Sequence, residues 1–171
     1  QSSGTAMSRD NWVNAANIIL SESSYVNVGA TYNINTSTRL LTVNVEAYFT
    51  ANGASGNKIN VALLQNNVEG NQSGASSHNP DAILSNGNYN HQHMLRHLLT
   101  GQWGEDISTT TAGSRFTKTY TYTIPADYDF DTGDNYDGVT YDLSNLEVAV
   151  FVTEGTQEII SGCNAMIVPW D

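Results

Sequence analysis

The residue types best suited to chemistry cluster in residues 88–97, which have the sequence NYNHQHMLRH. This segment holds His91, His93 and His97, three of the four histidines in the chain. Imidazole nitrogens ligate transition metals and exchange protons near neutral pH. On a strand all three side chains would lie on one face, whereas on a helix His93 and His97 would be neighbours and His91 would point elsewhere. Good helix formers follow His93, so the sequence allows a change from strand to helix near that residue.

The three histidines meet only part of the requirements of a zinc site, which needs three or four ligands. His91 and His93 could supply two ligands from a strand, and His97, His78 or an acidic side chain could supply a third. The sequence contains no HExxH motif, no nearby cysteine partner and no glutamate beside the histidines. We therefore favour packed or hydrogen-bonded scaffold histidines over a metal site. His91, His93 and His97 remain the candidate transition-metal ligands, and no catalytic residue is predicted.

A second cluster of candidate ligands is the acidic segment ADYDFDTGDNYDG, residues 126–138. Its five aspartates are Asp127, Asp129, Asp131, Asp134 and Asp137. Calcium takes six to eight oxygen ligands, and alternating carboxylates in a turn can supply several. The EF-hand pattern is not met, because a loop starting at Asp127 would have Thr132 at position six and Gly138 at position twelve. A solvated acidic hairpin tip is the favoured interpretation, with calcium at Asp127, Asp129, Asp131 and Asp134 as the alternative.

The composition excludes several classes of partner. The 171-residue chain has 6 Lys and Arg against 17 Asp and Glu, a net charge of −11, so it repels nucleic acid and anionic lipid headgroups. No apolar run approaches the roughly 20 residues that a membrane-spanning helix needs. The single cysteine, Cys163, excludes an internal disulfide and is interpreted as an inert, buried thiol. No cofactor is expected apart from the candidate calcium ion.

Enzymatic constellations are also missing from the sequence, since it has no G-x-S-x-G nucleophile elbow and no recognisable pair of catalytic carboxylates. We therefore predict that the chain is not an enzyme. Trp12, Trp103 and Trp170 could form a stacking platform for sugars, together with nine tyrosines. Aromatic residues in a β-domain more often belong to the core, and we favour that interpretation.

The elements that position these residues begin with a short helix over residues 9–20. Trp12, Ala16, Ile19 and Leu20 lie at helical spacing there, and Ser8 or Asp10 could cap the helix. We expect residues 1–22 to form a helical lead-in or the remnant of an upstream linker. Residues 23–171 are then expected to form a single β-domain.

After residue 22 the apolar period changes to two, which is typical of half-buried strands. A long polar loop is expected over residues 67–87, and residues 146–154 form a nearly continuous apolar strand. Short alternating strands separated by turns predict a two-layer antiparallel β-sandwich, immunoglobulin-like or jelly-roll, of about seven to nine strands. The predicted core includes Leu41, Val43, Val45, Val61, Leu63, Val148, Val150 and Val152.

Four consecutive segments carry a resemblance to a known family: NVALLQNNVEGNQSG, YNHQHMLRHLLTGQWGEDI, KTYTYTIP and DLSNLEVAVFVTE. They resemble the C-terminal region of the Bacteroides-type outer-membrane family named for its 28-kDa member, from about residue 10 to the end. The resemblance implies an exported surface protein of a Gram-negative bacterium, often lipid-anchored, and implies no catalytic residues. Longer relatives carry an upstream thioredoxin-like domain with a Cys-x-x-Cys motif. This chain lacks that motif, so it resembles the C-terminal β-domain alone.

Three classes of function follow from the sequence. The first is a non-catalytic surface module for adhesion, assembly or partner docking, and it agrees best with the missing catalytic groups. The second is a glycan-binding module, which needs exposed aromatic side chains beside a shallow groove. The third is a metalloprotein built on the histidines. Solvent exposure of Trp103 and Trp170 is expected to separate the first two classes.

Overall fold

The computed structural model describes residues 7–126, 142–156 and 158–169. Within these ranges the chain forms eleven strands: β1 Val26–Asn35, β2 Leu40–Phe49, β3 Asn57–Gln65, β4 Val68–Gly70, β5 Tyr89–His91, β6 Met94–Leu98, β7 Glu105–Asp106, β8 Arg115–Thr123, β9 Leu146–Glu154, β10 Glu158–Asn164 and β11 Met166–Ile167. The helices are α1 Trp12–Leu20 and α2 Ala75–His78. Short 3-10 segments cover Arg9–Asn11, Pro80–Ala82 and Leu143–Asn145.

The strands form two main sheets that face each other. The first sheet has the order β11-β1-β2-β8, and the second has the order β10-β9-β3-β6, with β7 also paired to β3. Strands β4 and β5 pair separately. If β1, β2, β3, β8, β9 and β10 are lettered A, B, C, E, F and G, the two sheets contain A-B-E and G-F-C, as in an immunoglobulin-like sandwich. The structure therefore selects the immunoglobulin-like alternative over the jelly roll.

Two details of the fold differ from the sequence-based expectation. The structure has eleven strands where seven to nine were expected, and the two-residue strands β7 and β11 account for the excess. The pairing is antiparallel except between β1 and β11, where Thr31 and Tyr32 pair in parallel with Met166 and Ile167. This pairing becomes possible because the chain crosses from the second sheet to the first at a single residue, Ala165.

The core lies between the two sheets and is built from the inward-facing residues of both. All eight residues that the alternating pattern assigned to the core are at most 3% exposed, so that prediction is confirmed. Full burial of a Val or Leu side chain stabilises the fold by about 1.5–3 kcal/mol relative to exposure. This shared core fixes the position of the two sheets relative to each other.

The N-terminal helix is confirmed, but it does not pack into the core of the domain. No residue of α1 is buried, although the sequence spaces its apolar residues as a packed helix would. Ser8 takes the N-cap position of the 3-10 segment Arg9–Asn11 that leads into α1, but its side chain makes no capping hydrogen bond, and neither does Asn11 at the N-cap of α1 itself. Ser8 instead donates a 3.3 Å hydrogen bond to the Asp10 carboxylate. The domain boundary between residues 22 and 23 stays a prediction.

The two lateral edges of the sandwich are closed in different ways. At the strand-paired edge, β11 joins the first sheet directly after β10 ends the second, and Val168 N–H donates a 2.7 Å hydrogen bond to the Tyr32 carbonyl. At the side-chain edge, β8 of the first sheet faces β6 and β7 of the second, and side chains make the connection. The ring of His97 stacks on the ring of Tyr122, with centroids 4.0 Å apart and an interplanar angle of 8°.

Candidate functional site

The histidine segment folds as two short strands joined by a tight turn, not as a strand followed by a helix. His93 lies in this turn with φ of 54°, the left-handed region, and its backbone N–H donates a 2.8 Å hydrogen bond to the Asn66 side chain. The residues after it form β6, which pairs with β3. The structure therefore excludes the alternative of a helix after residue 93, because pairing with β3 overrides the local helix propensity.

Each of the three histidines has a different partner. His91 lies beside Tyr89, with ring centroids 4.8 Å apart. The Nδ1 atom of His93 contacts the carboxylate of Glu147 in β9. His97 stacks on Tyr122 in β8, and burial lowers the pKa of its imidazole.

These contacts separate the candidate metal ligands. Across residues 7–126, 142–156 and 158–169, no group of three or more His, Cys, Asp or Glu side chains is arranged to hold a metal ion. The structure thus does not bring His91, His93 and His97 together. The His93 contact links the β5–β6 turn to β9, and the His97 contact links β6 to β8, while the His91 contact stays within β5. The scaffold role of the segment stays a prediction.

The aspartates of the acidic segment fall between two of the described ranges. Asp127, Asp129, Asp131 and Asp134 lie outside the residues that the structure describes, as does Trp170. Calcium binding at the four aspartates stays a prediction.

A polar cavity of about 890 Å³ lies between the N-terminal segment and the connection that contains α2. Its lining includes Arg9, His78, Asn79, Tyr89, Asn90 and His91. Asn79 donates a 2.8 Å hydrogen bond from its side-chain amide to the Tyr89 hydroxyl. The predicted loop over residues 67–87 is partly structured, since it contains β4, α2 and a 3-10 segment. Its residues between 72 and 82 form one wall of this cavity.

The tryptophans of the described chain do not belong to the core. Trp12 at the start of α1 is 62% exposed, and Trp103 in the connection from β6 to β7 is 59% exposed. The core interpretation is wrong for these two residues. Cys163, by contrast, is partly buried against the core, and this burial raises the pKa of its thiol. Its inertness stays a prediction.

The most unusual surface in the described chain is that of α1. Its exposed apolar residues are Trp12, Val13, Ile18, Ile19 and Leu20, and Leu20 is 81% exposed. The indole N–H of Trp12 donates a 3.2 Å hydrogen bond to the Met7 carbonyl, which holds the preceding segment against the helix. None of the nine residues of α1 is charged. This helix therefore presents a continuous apolar surface to solvent.

The sequence indicated the apolar stripe of α1, but it did not indicate that the stripe faces solvent. The spacing of Trp12, Ile19 and Leu20 predicted a helix with an apolar stripe, and such a stripe ordinarily faces the core of the same domain. A helix this short shows the same pattern whether it packs on its own domain or on a partner. Only the three-dimensional structure distinguishes the two.

In the part of the chain that the structure describes, no helix is both long and apolar enough to cross a membrane. A comparison with curated proteins finds no significant match. Among solved structures, the chain is similar to a domain of the outer membrane lipoprotein Omp28 from Porphyromonas gingivalis, with 18% sequence identity and a TM-score of 0.53. The alignment covers 88% of this chain and 93% of that one, and at this identity the likeness establishes the fold.

The sequence itself matches the family model described as outer membrane protein Omp28 over residues 2–162. This match confirms the resemblance seen in the four sequence segments, because it spans nearly the whole chain. The chain therefore belongs to the Omp28 family of outer membrane proteins, which places it at the outer membrane or cell surface.

Proposed function

We propose that this chain is a non-catalytic cell-surface module that docks a partner protein through α1. The observation that carries the proposal is that none of the nine residues of the helix is fully buried, while five of them are large, apolar and exposed. Isolated helices shorter than about 12–15 residues are marginal in water, and most helices gain their stability by packing an apolar face. A partner that covers α1 would supply that packing.

Charge favours a protein partner over a lipid surface. Helices that lie on membranes usually carry Lys and Arg on their polar face and are attracted to anionic headgroups. Helix α1 has Asn14 and Asn17 on its polar positions and no basic residue. The chain as a whole carries a net charge of −11, which opposes approach to an anionic membrane. An apolar groove that receives a short helix is the matching type of partner surface.

Site-specific photo-crosslinking in the native bacterium tests this proposal. A photoreactive amino acid replaces Leu20 in one variant and Asn86, an exposed residue before β5, in the control. We expect a discrete protein adduct from position 20 that is missing from position 86. Adducts to lipid alone, or no adduct at equal surface expression, would contradict docking of a protein through α1.

A pair of double variants separates docking from folding. Ile18→Gln with Leu20→Gln makes the helix polar, and Asn14→Gln with Asn17→Gln is the matched control on the same helix. Because these side chains are exposed, each change should alter the free energy of unfolding by no more than about 0.5 kcal/mol. Because Leu20 is substituted in the first variant, the photoreactive amino acid is placed at position 13 in both variants. We expect the adduct to be lost from the first variant and kept in the control.

Glycan binding is a second candidate function, and a different observation favours it. The outer face of the first sheet carries an open groove of about 730 Å³, and this face has an exposed tyrosine, Tyr48. Ligand sites in proteins commonly have volumes of about 300–1,000 Å³. A neutral oligosaccharide added to the purified protein, followed by calorimetry, tests whether the protein binds sugars at all.

A further inference from the structure

The outer face of the first sheet is a regular array in which Asn and Thr side chains predominate, and we call it the Asn/Thr face. Strand pairing aligns them in four rows across β1, β2 and β8: Asn27–Tyr48–Arg115, Gly29–Glu46–Thr117, Thr31–Asn44–Thr119 and Asn33–Thr42–Thr121. Neighbouring strands lie about 4.8 Å apart, and residues on one face repeat about every 6.7 Å along a strand. The rows therefore form a grid of hydrogen-bonding groups whose spacing suits a ligand with many hydroxyls.

The charged residues on or beside this face are neutralised in pairs. Arg115 contacts the carboxylate of Glu46 within the grid, and Lys118 at the side of β8 contacts Glu105. The amide and hydroxyl groups that remain can each donate and accept hydrogen bonds. This neutral surface contrasts with the strongly acidic chain that carries it.

A groove in this face gives it a shape as well as a composition. Gly29 forms part of the floor, and no heavy atom lies within 4 Å of the position that a Cβ would take there. Met166 of β11 lies across from Thr31 and is 70% exposed, so it forms one apolar wall. The second row therefore has an opening between side chains where a ring-sized ligand can reach the sheet.

Tyr48 supplies a planar apolar surface at the end of this groove. It is 43% exposed and lies between Asn27 and Arg115 in the first row. The axial C–H groups of a sugar ring stack on an aromatic ring, while its hydroxyls need polar partners at the sides. In the third row, the Thr119 hydroxyl donates a 2.7 Å hydrogen bond to the Asn44 side-chain oxygen, which leaves the Asn44 NH₂ group as a donor for such contacts.

We infer that the Asn/Thr face binds a neutral oligosaccharide, with Tyr48 as the stacking platform and Asn27, Thr31 and Asn44 as hydrogen-bonding groups. This inference rests on the second candidate function above and assigns it a site. Neutral sugars are favoured because an anionic glycan would meet a chain of net charge −11. An extended peptide would instead add to a strand edge, whereas this site lies on the flat of the sheet.

The experiment uses the intact chain and three named probes: cellohexaose, maltohexaose and mannohexaose. Each is titrated to millimolar concentration while the backbone amide signals are followed by NMR. We expect one probe to shift amides of β1, β2 and β8 in a saturable manner. Saturable binding whose shifts lie elsewhere, for example around Trp103, would overturn this site while leaving the glycan function standing. No binding by any probe would overturn both.

Variants then test the named groups. Gly29→Leu fills the groove and should abolish binding, while Tyr48→Ala should weaken it about tenfold through lost stacking. Tyr48→Phe keeps the ring and should bind within about twofold of the unchanged chain, and Trp103→Ala controls for loss of an exposed aromatic residue elsewhere. Thermal melts show whether each variant is folded. Unchanged affinity in folded Tyr48→Ala and Gly29→Leu would refute the site.

Discussion

The two lateral edges of the sandwich connect the two sheets through different kinds of contact. At the strand-paired edge, β11 crosses to the first sheet and the backbone makes the bonds, such as the 2.7 Å hydrogen bond from Val168 to Tyr32. At the side-chain edge, the connection depends on particular residues. His97 stacks on Tyr122, and the Tyr120 hydroxyl donates a 3.1 Å hydrogen bond to Glu105, which also contacts Lys118.

This difference between the edges explains why histidine, tyrosine and charged residues gather at the side-chain edge, although no catalysis is proposed there. Backbone hydrogen bonds tolerate almost any side chain, so the strand-paired edge needs no special residue types. An edge closed by side chains needs rings and charged groups at fixed places, and a histidine provides both a flat ring and polar nitrogens. Burial and the neighbouring Glu105 raise the pKa of Tyr120, which keeps its hydroxyl as a hydrogen-bond donor.

The largest effect is expected in the core that both edges enclose. Leu63 is fully buried and lies opposite His97 in the pairing of β3 with β6. Leu63→Ala should lower the free energy of unfolding by about 2–5 kcal/mol, through lost burial and the cavity left behind. Leu64→Ala, on the outward side of the same strand, is the matched control and should cost less. Equal losses in chemical denaturation would show that β3 does not divide an inner face from an outer one.

A proline in the strand-paired edge should give the next largest effect. Val168→Pro removes the N–H that donates to the Tyr32 carbonyl, and we expect a loss of about 1–3 kcal/mol. Val168→Ala keeps that N–H and serves as the control, so the difference between the two variants measures the backbone contribution. If both variants unfold at the same denaturant concentration, this edge is not held by its backbone hydrogen bond.

The core and the strands could be predicted from the sequence because burial on one face of a strand imposes a period of two. Leu41, Val43 and Val45 alternate with polar residues, and all three are buried in β2. The same alternation also contained the Asn/Thr face, since Thr117 and Thr119 occupy the polar phase of β8. That signal was missed because a polar phase usually means only solvent exposure.

Features that depend on distant pairing could not be predicted. The helix formers after His93 indicated a helix, but β6 pairs with β3 and the turn at His93 adopts a positive φ. The stacking of His97 on Tyr122 joins residues 25 positions apart, and no local pattern encodes it. The exposure of α1 could not be predicted either, because its apolar residues have the same spacing as those of an ordinary packed helix.

A smaller effect is expected at the side-chain edge, where a double-mutant cycle can isolate the ring contact. We predict that His97→Ala and Tyr122→Ala are coupled by about 0.5–1.5 kcal/mol, the usual range for stacked aromatic rings. The control cycle combines His97→Ala with Thr121→Ala, whose side chain lies on the opposite face of β8. Coupling near zero in the first cycle would mean that the stacked rings do not hold the edge together.

The smallest effect should be a dependence of that edge on pH. Burial lowers the pKa of His97 below its value of about 6.5 in an unfolded chain, so the unfolded state binds this proton more tightly. Its contribution to stability is therefore fully present above pH of about 6.5 and is lost as the pH falls toward the lowered pKa of the folded state. His97→Phe keeps a ring against Tyr122 and removes the titration, so the free energy of unfolding should depend less on pH below about 6.5. The same substitution at the exposed His78 controls for the loss of one imidazole elsewhere. The free energy of unfolding is measured by chemical denaturation at several pH values. If it changes with pH equally in the unchanged chain and in His97→Phe, the partly buried imidazole is not what makes this edge sensitive to acid.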